Sequence, residues 1–143
     1  MSVLRTLSLA FAALLVLGAG PAPKRAPTVW TNVVAATPEG GYRMGNPAAP
    51  VKLIEYGSRS CPICGRFYLD GTAALRSRYI ATGKVSYEFR DFPVHPQDIG
   101  NTLLGRCVPV GSYFPILDRM YDNQRAFNEK AMSLVSMEEP AKQ

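Results

Sequence analysis

Val51-Lys52-Leu53-Ile54-Glu55-Tyr56-Gly57-Ser58-Arg59-Ser60-Cys61-Pro62-Ile63-Cys64 is the stretch that decides the fold, because a strand, a turn and a cysteine pair follow one another without a break. Residues 51–56 read as a strand and Gly57-Ser58-Arg59-Ser60 as a short turn. Gly65 to Ala81 reads as a long helix, so the cysteines sit where a strand hands over to a helix N-terminus. Two intervening residues let both sulfurs close a small ring at the first helical turn. Unpaired backbone N–H groups and the helix dipole there favour a thiolate on the first cysteine. That is the layout of a thiol–disulfide redox centre.

Working outward, Val51, Leu53 and Glu55 share one strand face and Lys52, Ile54 and Tyr56 the other, which predicts an interior place in a sheet. In the helix, Ile63, Phe67, Ala74 and Leu75 fall on one side; Gly71 is a candidate kink and Gly83 a natural C-terminal cap. Val85, Tyr87 and Phe89 alternate with Ser86, Glu88 and Arg90 as a second strand, ended by Pro93 and Pro96. Strand, helix, strand predicts a right-handed parallel βαβ unit. Helical spacing then dominates. Ile99, Leu103, Leu104 and Cys107 mark one helix over 98–107. Ser112 is a candidate cap for a second, with Tyr113, Phe114, Ile116, Leu117, Met120 and Tyr121, and 125–139 reads as a third.

The chain has 143 residues, which bounds it to one domain. Arg5, the apolar run Leu7 to Leu17 and the small residues Gly18-Ala19-Gly20 describe a secretory signal peptide over residues 1–22, with an uncleaved anchor as the minor alternative. Residues 23–44 read as a linker with a candidate edge strand at Thr28 to Val34, and 45–139 as the domain. Export means a periplasmic or secreted protein, where disulfides persist. The net charge of +5 is scattered rather than gathered into a stripe with stacking aromatics, which argues against nucleic-acid binding.

The stretches Gly45 to Pro50, Val51 to Gly57, Cys61 to Cys64 and Lys84 to Pro93, with Cys107, Tyr113, Phe114 and Gln124, resemble the DsbA-like branch of the thioredoxin superfamily. The resemblance implies an α/β thioredoxin-like fold whose βαβ half is followed by a helical insertion. It also implies an exported thiol–disulfide oxidoreductase that acts on protein thiols and disulfides, with a membrane redox partner as a further candidate. The family's second half, a ββα unit with a cis-proline loop, has no counterpart here. Val108-Pro109 is only a formal match, Pro115 lies in a helical pattern and Pro140 is almost terminal. The expectation is a chain truncated within the insertion.

Cys61 is the expected nucleophile and Cys64 the resolving thiol, without a bound cofactor. A free thiol has a pKa of about 8.5, and helix N-termini lower it to roughly 3.5–7.5. A purely structural bridge is the alternative, weakened because so small a loop constrains the unfolded chain little. Pro62 and Ile63 are the expected tuning residues. Pro62 pre-sets helical φ, and Ile63 stands where strongly oxidising relatives carry a histidine, which implies a less oxidising couple. Glu55 is expected either to relay a proton to Cys64 or to be a strand-end carboxylate bonded to solvent or a backbone amide. Zinc on Cys61, Cys64, His95 and Cys107 is disfavoured by spacing. Cys107 is expected to be a buried helix residue, or a thiol whose partner lay in the missing part. His95 is expected to be an exposed loop residue, and Tyr113, Phe114, Tyr121 and Phe127 to be helix-packing core. The rival to an enzyme is an incomplete fragment or partner-binding piece, and behind it a periplasmic metal-binding protein.

Overall fold

A computed structural model of the chain describes residues 28–138, so the signal-peptide reading of residues 1–22 and Pro140 lie outside the described residues. A 3-10 turn at Trp30–Asn32 leads into β1 (Val34–Ala36), β2 (Tyr42–Gly45) and β3 (Val51–Gly57). Helix α1 (Pro62–Leu75) runs on as a π turn at Arg76–Ile80 into β4 (Val85–Asp91). Then come α2 (Gln97–Arg106), a 3-10 turn at Val110–Ser112, α3 (Tyr113–Asp122) and α4 (Gln124–Glu138).

The sheet order is β1-β2-β4-β3, with β3 and β4 parallel and the other pairs antiparallel. The expected βαβ unit is present, with Val51 opposite Val85 and Gly57 opposite Asp91. The candidate edge strand at 28–34 is shifted. Its first part forms the 3-10 turn, β1 starts only at Val34, and Tyr42–Gly45 supplies a strand that composition alone made linker.

Two further expectations are corrected. Among the described residues β3 is an edge, bonded to β4 on one side only, and Val51, Ile54 and Tyr56 are exposed. A strand can be apolar on both sides without having two neighbours. Helix α1 continues through Gly71, and its irregular turn comes at 76–80, where the N–H of Ala81 reaches the Arg76 carbonyl. Gly83 does close this helix, at φ +75°, a left-handed conformation that suits glycine.

The core lies between one face of the sheet and helices α1 and α3. Met44, Val85, Tyr87 and Phe89 from the strands meet Tyr68, Ile80, Tyr113, Phe114, Leu117 and Tyr121. Aromatic contacts knit it together: Tyr42 stacks on Tyr113 with ring centroids 3.6 Å apart, and Tyr68 packs on Tyr121 at 4.6 Å. The expected core roles of Tyr113, Phe114 and Tyr121 hold, with Phe127 only half-buried. In α1 the inward face is Gly65, Tyr68 and Thr72, whereas Ile63 and Phe67 are exposed, the reverse of their expected side. Tyr68 wins because its hydroxyl has a carboxylate partner, Asp118, at the rim of the core.

Candidate active site

Cys61 is the N-cap of α1, in extended conformation, and its carbonyl accepts the first helical hydrogen bond from Gly65 at 3.0 Å. Pro62 stands in the first turn, where its missing N–H costs nothing. The Cys61 thiol lies below its ordinary pKa. The foremost cause is the N–H of Cys64 directed at its sulfur, joined by the Cys64 thiol and the N–H of Ile63; slight desolvation and the Asp98 charge work the other way. Cys64 is pushed up, first by burial and then by the neighbouring Cys61 sulfur and the Glu55 carboxylate, against a hydrogen bond from the Ser58 N–H. The two thiols of the pair are thus shifted in opposite directions, Cys61 below and Cys64 above the ordinary thiol range. Both thiols are free.

Glu55 points to the core side of β3 and accepts a hydrogen bond from the Tyr87 hydroxyl. Burial raises its carboxyl above the ordinary range, partly offset by that bond. Its partner is therefore a phenol rather than the solvent or backbone amide of the simpler expectation. Ile63 is 77% exposed beside the cysteines.

The turn that carries the cysteines is buried and polar. Ser58, Arg59 and Ser60 are each at most 4% exposed. The Arg59 guanidinium donates to Asp91 at 2.7 Å, to the Tyr113 hydroxyl at 2.7 Å and to the Met120 sulfur at 3.0 Å. It also lies over the rings of Phe89 and Tyr113. Gly105 makes room for it: a Cβ there would fall 2.1 Å from a guanidinium nitrogen. Asp98 holds the same turn from α2. Its carboxylate accepts from the Ser60 N–H and the Ser58 hydroxyl at 2.9 Å, and from the N–H groups of Val94 and His95 at 2.9 and 3.1 Å. Burial alone would raise the Asp98 carboxyl, but these four donors bring it below its ordinary value.

His95 shares a 2.8 Å hydrogen bond with the Ser60 hydroxyl, so the expected loop histidine is exposed yet tied to the turn before Cys61. Cys107 is exposed, not buried: α2 turns its polar face inward and carries the thiol outward. Among the described residues, no group of three or more His, Cys, Asp and Glu side chains is placed to hold a metal ion. Sequence reasoning missed Arg59 and Asp98 as site-building residues. Polar residues in a turn and a helix first turn read as solvated until their distant partners are known.

A thioredoxin family model matches residues 37–142. The chain belongs to the thioredoxin superfamily, in its DsbA-like branch. This DsbA-like chain is 36% identical over 64 residues to a Rickettsia typhi protein named as a protein-disulfide oxidoreductase, a match covering 45% of this chain and 24% of that protein. It is 30% identical over 92 residues to a Bacillus cereus protein named as disulfide bond formation protein D, covering 61% of this chain and 42% of that one. Among solved structures, the protein-disulfide isomerase of Novosphingobium aromaticivorans matches with TM-score 0.58 and 30% identity over 60% of this chain and 44% of that one. The α-DsbA1 of Wolbachia pipientis, at 24% identity and TM-score 0.56, shares the fold over 68% of this chain and 54% of its own. The DsbA-like chain thus spans between about a quarter and about half of the length of these proteins.

Proposed function

We propose that this chain carries the redox half of an exported thiol–disulfide oxidoreductase, exchanging disulfides with periplasmic or secreted proteins through Cys61-Pro62-Ile63-Cys64. The observation that carries the reading is the asymmetry of the two thiols, one lowered at an open helix N-terminus and the other raised behind it. The Cys61 thiolate attacks one sulfur of a substrate disulfide, that S–S bond breaks, and the departing substrate sulfur takes up a proton. Cys64 then gives its proton to Glu55 and attacks the Cys61 sulfur. The mixed disulfide breaks, the second substrate sulfur leaves as a thiol, and two electrons have passed to the substrate. Run backwards, the same steps oxidise a dithiol. No bound cofactor is required, and a membrane redox partner would restore the starting state. Ile63 has no side-chain donor for the thiolate, so the couple is less oxidising than that of relatives with histidine there.

The test is a redox titration of the purified chain in glutathione buffers, following alkylation of Cys61 by mass spectrometry. A single two-electron transition, abolished by Cys61→Ser and retained in Cys107→Ser, is the expected result. Equal loss in both variants would overturn the assignment of roles.

A second reading, a piece completed by another polypeptide, is favoured by the edge place of β3 among the described residues, where Val51 and Tyr56 are more than half exposed. An unpaired strand edge with apolar side chains is a template for an added strand. Concentration-independent monomers that bind no extended peptide at that edge would remove this reading.

A further inference from the structure

Four consecutive carbonyls, those of residues 58–61, each accept a hydrogen bond from a side chain of α3 or α4. The Tyr121 hydroxyl donates to Ser58 at 3.1 Å, and the Asn128 amide to Ser60 at 3.4 Å. The Gln124 amide nitrogen donates to both Arg59, at 3.0 Å, and Cys61, at 2.9 Å. Resting on the redox reading above, we infer that Gln124, backed by Asn128 and Tyr121, is a positioning residue that locks the turn before the cysteines and so holds Cys61 at the N-terminus of α1 for thiol exchange.

The chemistry of the acceptors dictates the residue type. Gln124 faces two carbonyls, which only accept, so its NH2 group with two hydrogens must point to them. The Cys61 carbonyl thereby uses both lone pairs, one for the Gly65 N–H of the first helical turn and one for Gln124. Its peptide plane is fixed from within the helix and from α4 at once. The extended Cys61 backbone, with ψ near 121°, keeps the sulfur turned back over the N–H groups of Ile63 and Cys64. Freed from Gln124, that plane can rotate and those donors lose their aim.

Three features of the packing bring this clamp within reach. Gly65 is bare on its α4 side: a Cβ there would lie 3.2 Å from both polar atoms of the Gln124 amide, tighter than an ordinary contact. Asn128 is oriented by the buried Asn101, whose amide donates to the Asn128 carbonyl oxygen at 2.8 Å and leaves its NH2 for Ser60. Gly100 lets α2 approach α4, since a Cβ would fall 2.9 Å from the Ala131 carbonyl.

The experiment compares the full-length chain with Gln124→Ala, Gln124→Glu and Gly65→Ala, using the neighbouring exposed Arg125→Ala as control. The readouts are the pH dependence of Cys61 alkylation, resolved from Cys64 and Cys107 by tandem mass spectrometry, and the midpoint against glutathione, in proteins that retain cooperative unfolding. The expected result is a several-fold slower alkylation near pH 6 and a less oxidising midpoint for Gln124→Ala, because a less stabilised thiolate makes the reduced form less favourable. Gln124→Glu should fall further at pH values where the new carboxylate is ionised and faces the carbonyls. Gly65→Ala should lie between wild type and Gln124→Ala, and Arg125→Ala should match wild type. An unchanged Cys61 profile in every folded variant overturns the positioning role. The two proposals separate cleanly, since the Cys61 profile is read by alkylation alone. A shifted profile in a chain that exchanges no disulfides would sink the oxidoreductase reading and leave the clamp standing.

Discussion

Helices α2 and α3 are each ten residues long and lie next to one another in the chain, yet they bury opposite kinds of residue. Helix α3 turns Tyr113, Phe114, Leu117, Met120 and Tyr121 inward, as its apolar spacing demands. Helix α2 turns Asp98, Gly100, Asn101 and Gly105 inward and leaves Ile99 and Leu103 each 53% exposed. The difference lies in what each helix faces. Helix α3 packs on the aromatic side of the sheet. Helix α2 packs on the turn of residues 58–60, which offers backbone N–H groups and a hydroxyl, and on α4, where only small residues permit close approach. Buried donors without acceptors cost more than exposed leucines, so the polar face wins.

The most damaging way to break this contrast is Asp98→Ala on α2. It strips four donors of their acceptor and should cost about 3–5 kcal/mol, read as a lowered urea midpoint. A loss below about 1 kcal/mol would mean that the turn finds other partners. Leu117→Ala on α3 should come next, at about 3 kcal/mol from lost burial and a cavity, measured the same way. In contrast with Asp98→Ala, its loss should be nearly independent of pH. Wild-type stability drawn from Asp98 instead disappears as pH falls through the lowered carboxyl value, because the unfolded chain then binds the proton more readily.

Glu55→Gln sharpens the comparison from the sheet side. The folded chain holds the Glu55 proton to higher pH than the unfolded chain does, so stability declines as pH rises from the ordinary carboxylate range through the raised value. The variant should therefore gain on wild type at pH 7 and differ least at pH 4, in paired urea titrations. A larger difference at pH 4 would contradict the direction of the shift. The smallest effect belongs to Leu103→Ser on the outer face of α2, expected within about 0.5 kcal/mol of wild type. A loss comparable to that of Leu117→Ala would show that this exposed leucine is covered by something in solution.

Much of the frame was legible. The βαβ unit follows from period-2 alternation in residues 85–90, an apolar strand before the cysteines and a helix bounded by Gly83. The place of Cys61 at the N-cap and of Cys64 in the first turn of α1 follows from a two-residue spacing at a helix start. Inferring sidedness from apolar spacing failed in α1 and α2, where Ile63, Phe67, Ile99 and Cys107 face outward. Strand β2 was hidden among glycines and prolines because its pairing with β4, not its own pattern, makes it a strand.

Sequence alone therefore determined what is local: the strand, the helix start, the cysteine spacing and the amphipathic stripe of α3, all set by periods of a few residues. Only the tertiary structure decided that Arg59 would be buried against Asp91, that Asp98 would hold Ser58 and Ser60, and that Gln124 would reach the Cys61 carbonyl. Those partners lie between 32 and 63 residues apart in the chain. No local pattern encodes such a pairing, because the hydrogen-bonding need of a buried turn is met by whichever donor or acceptor the topology brings to it.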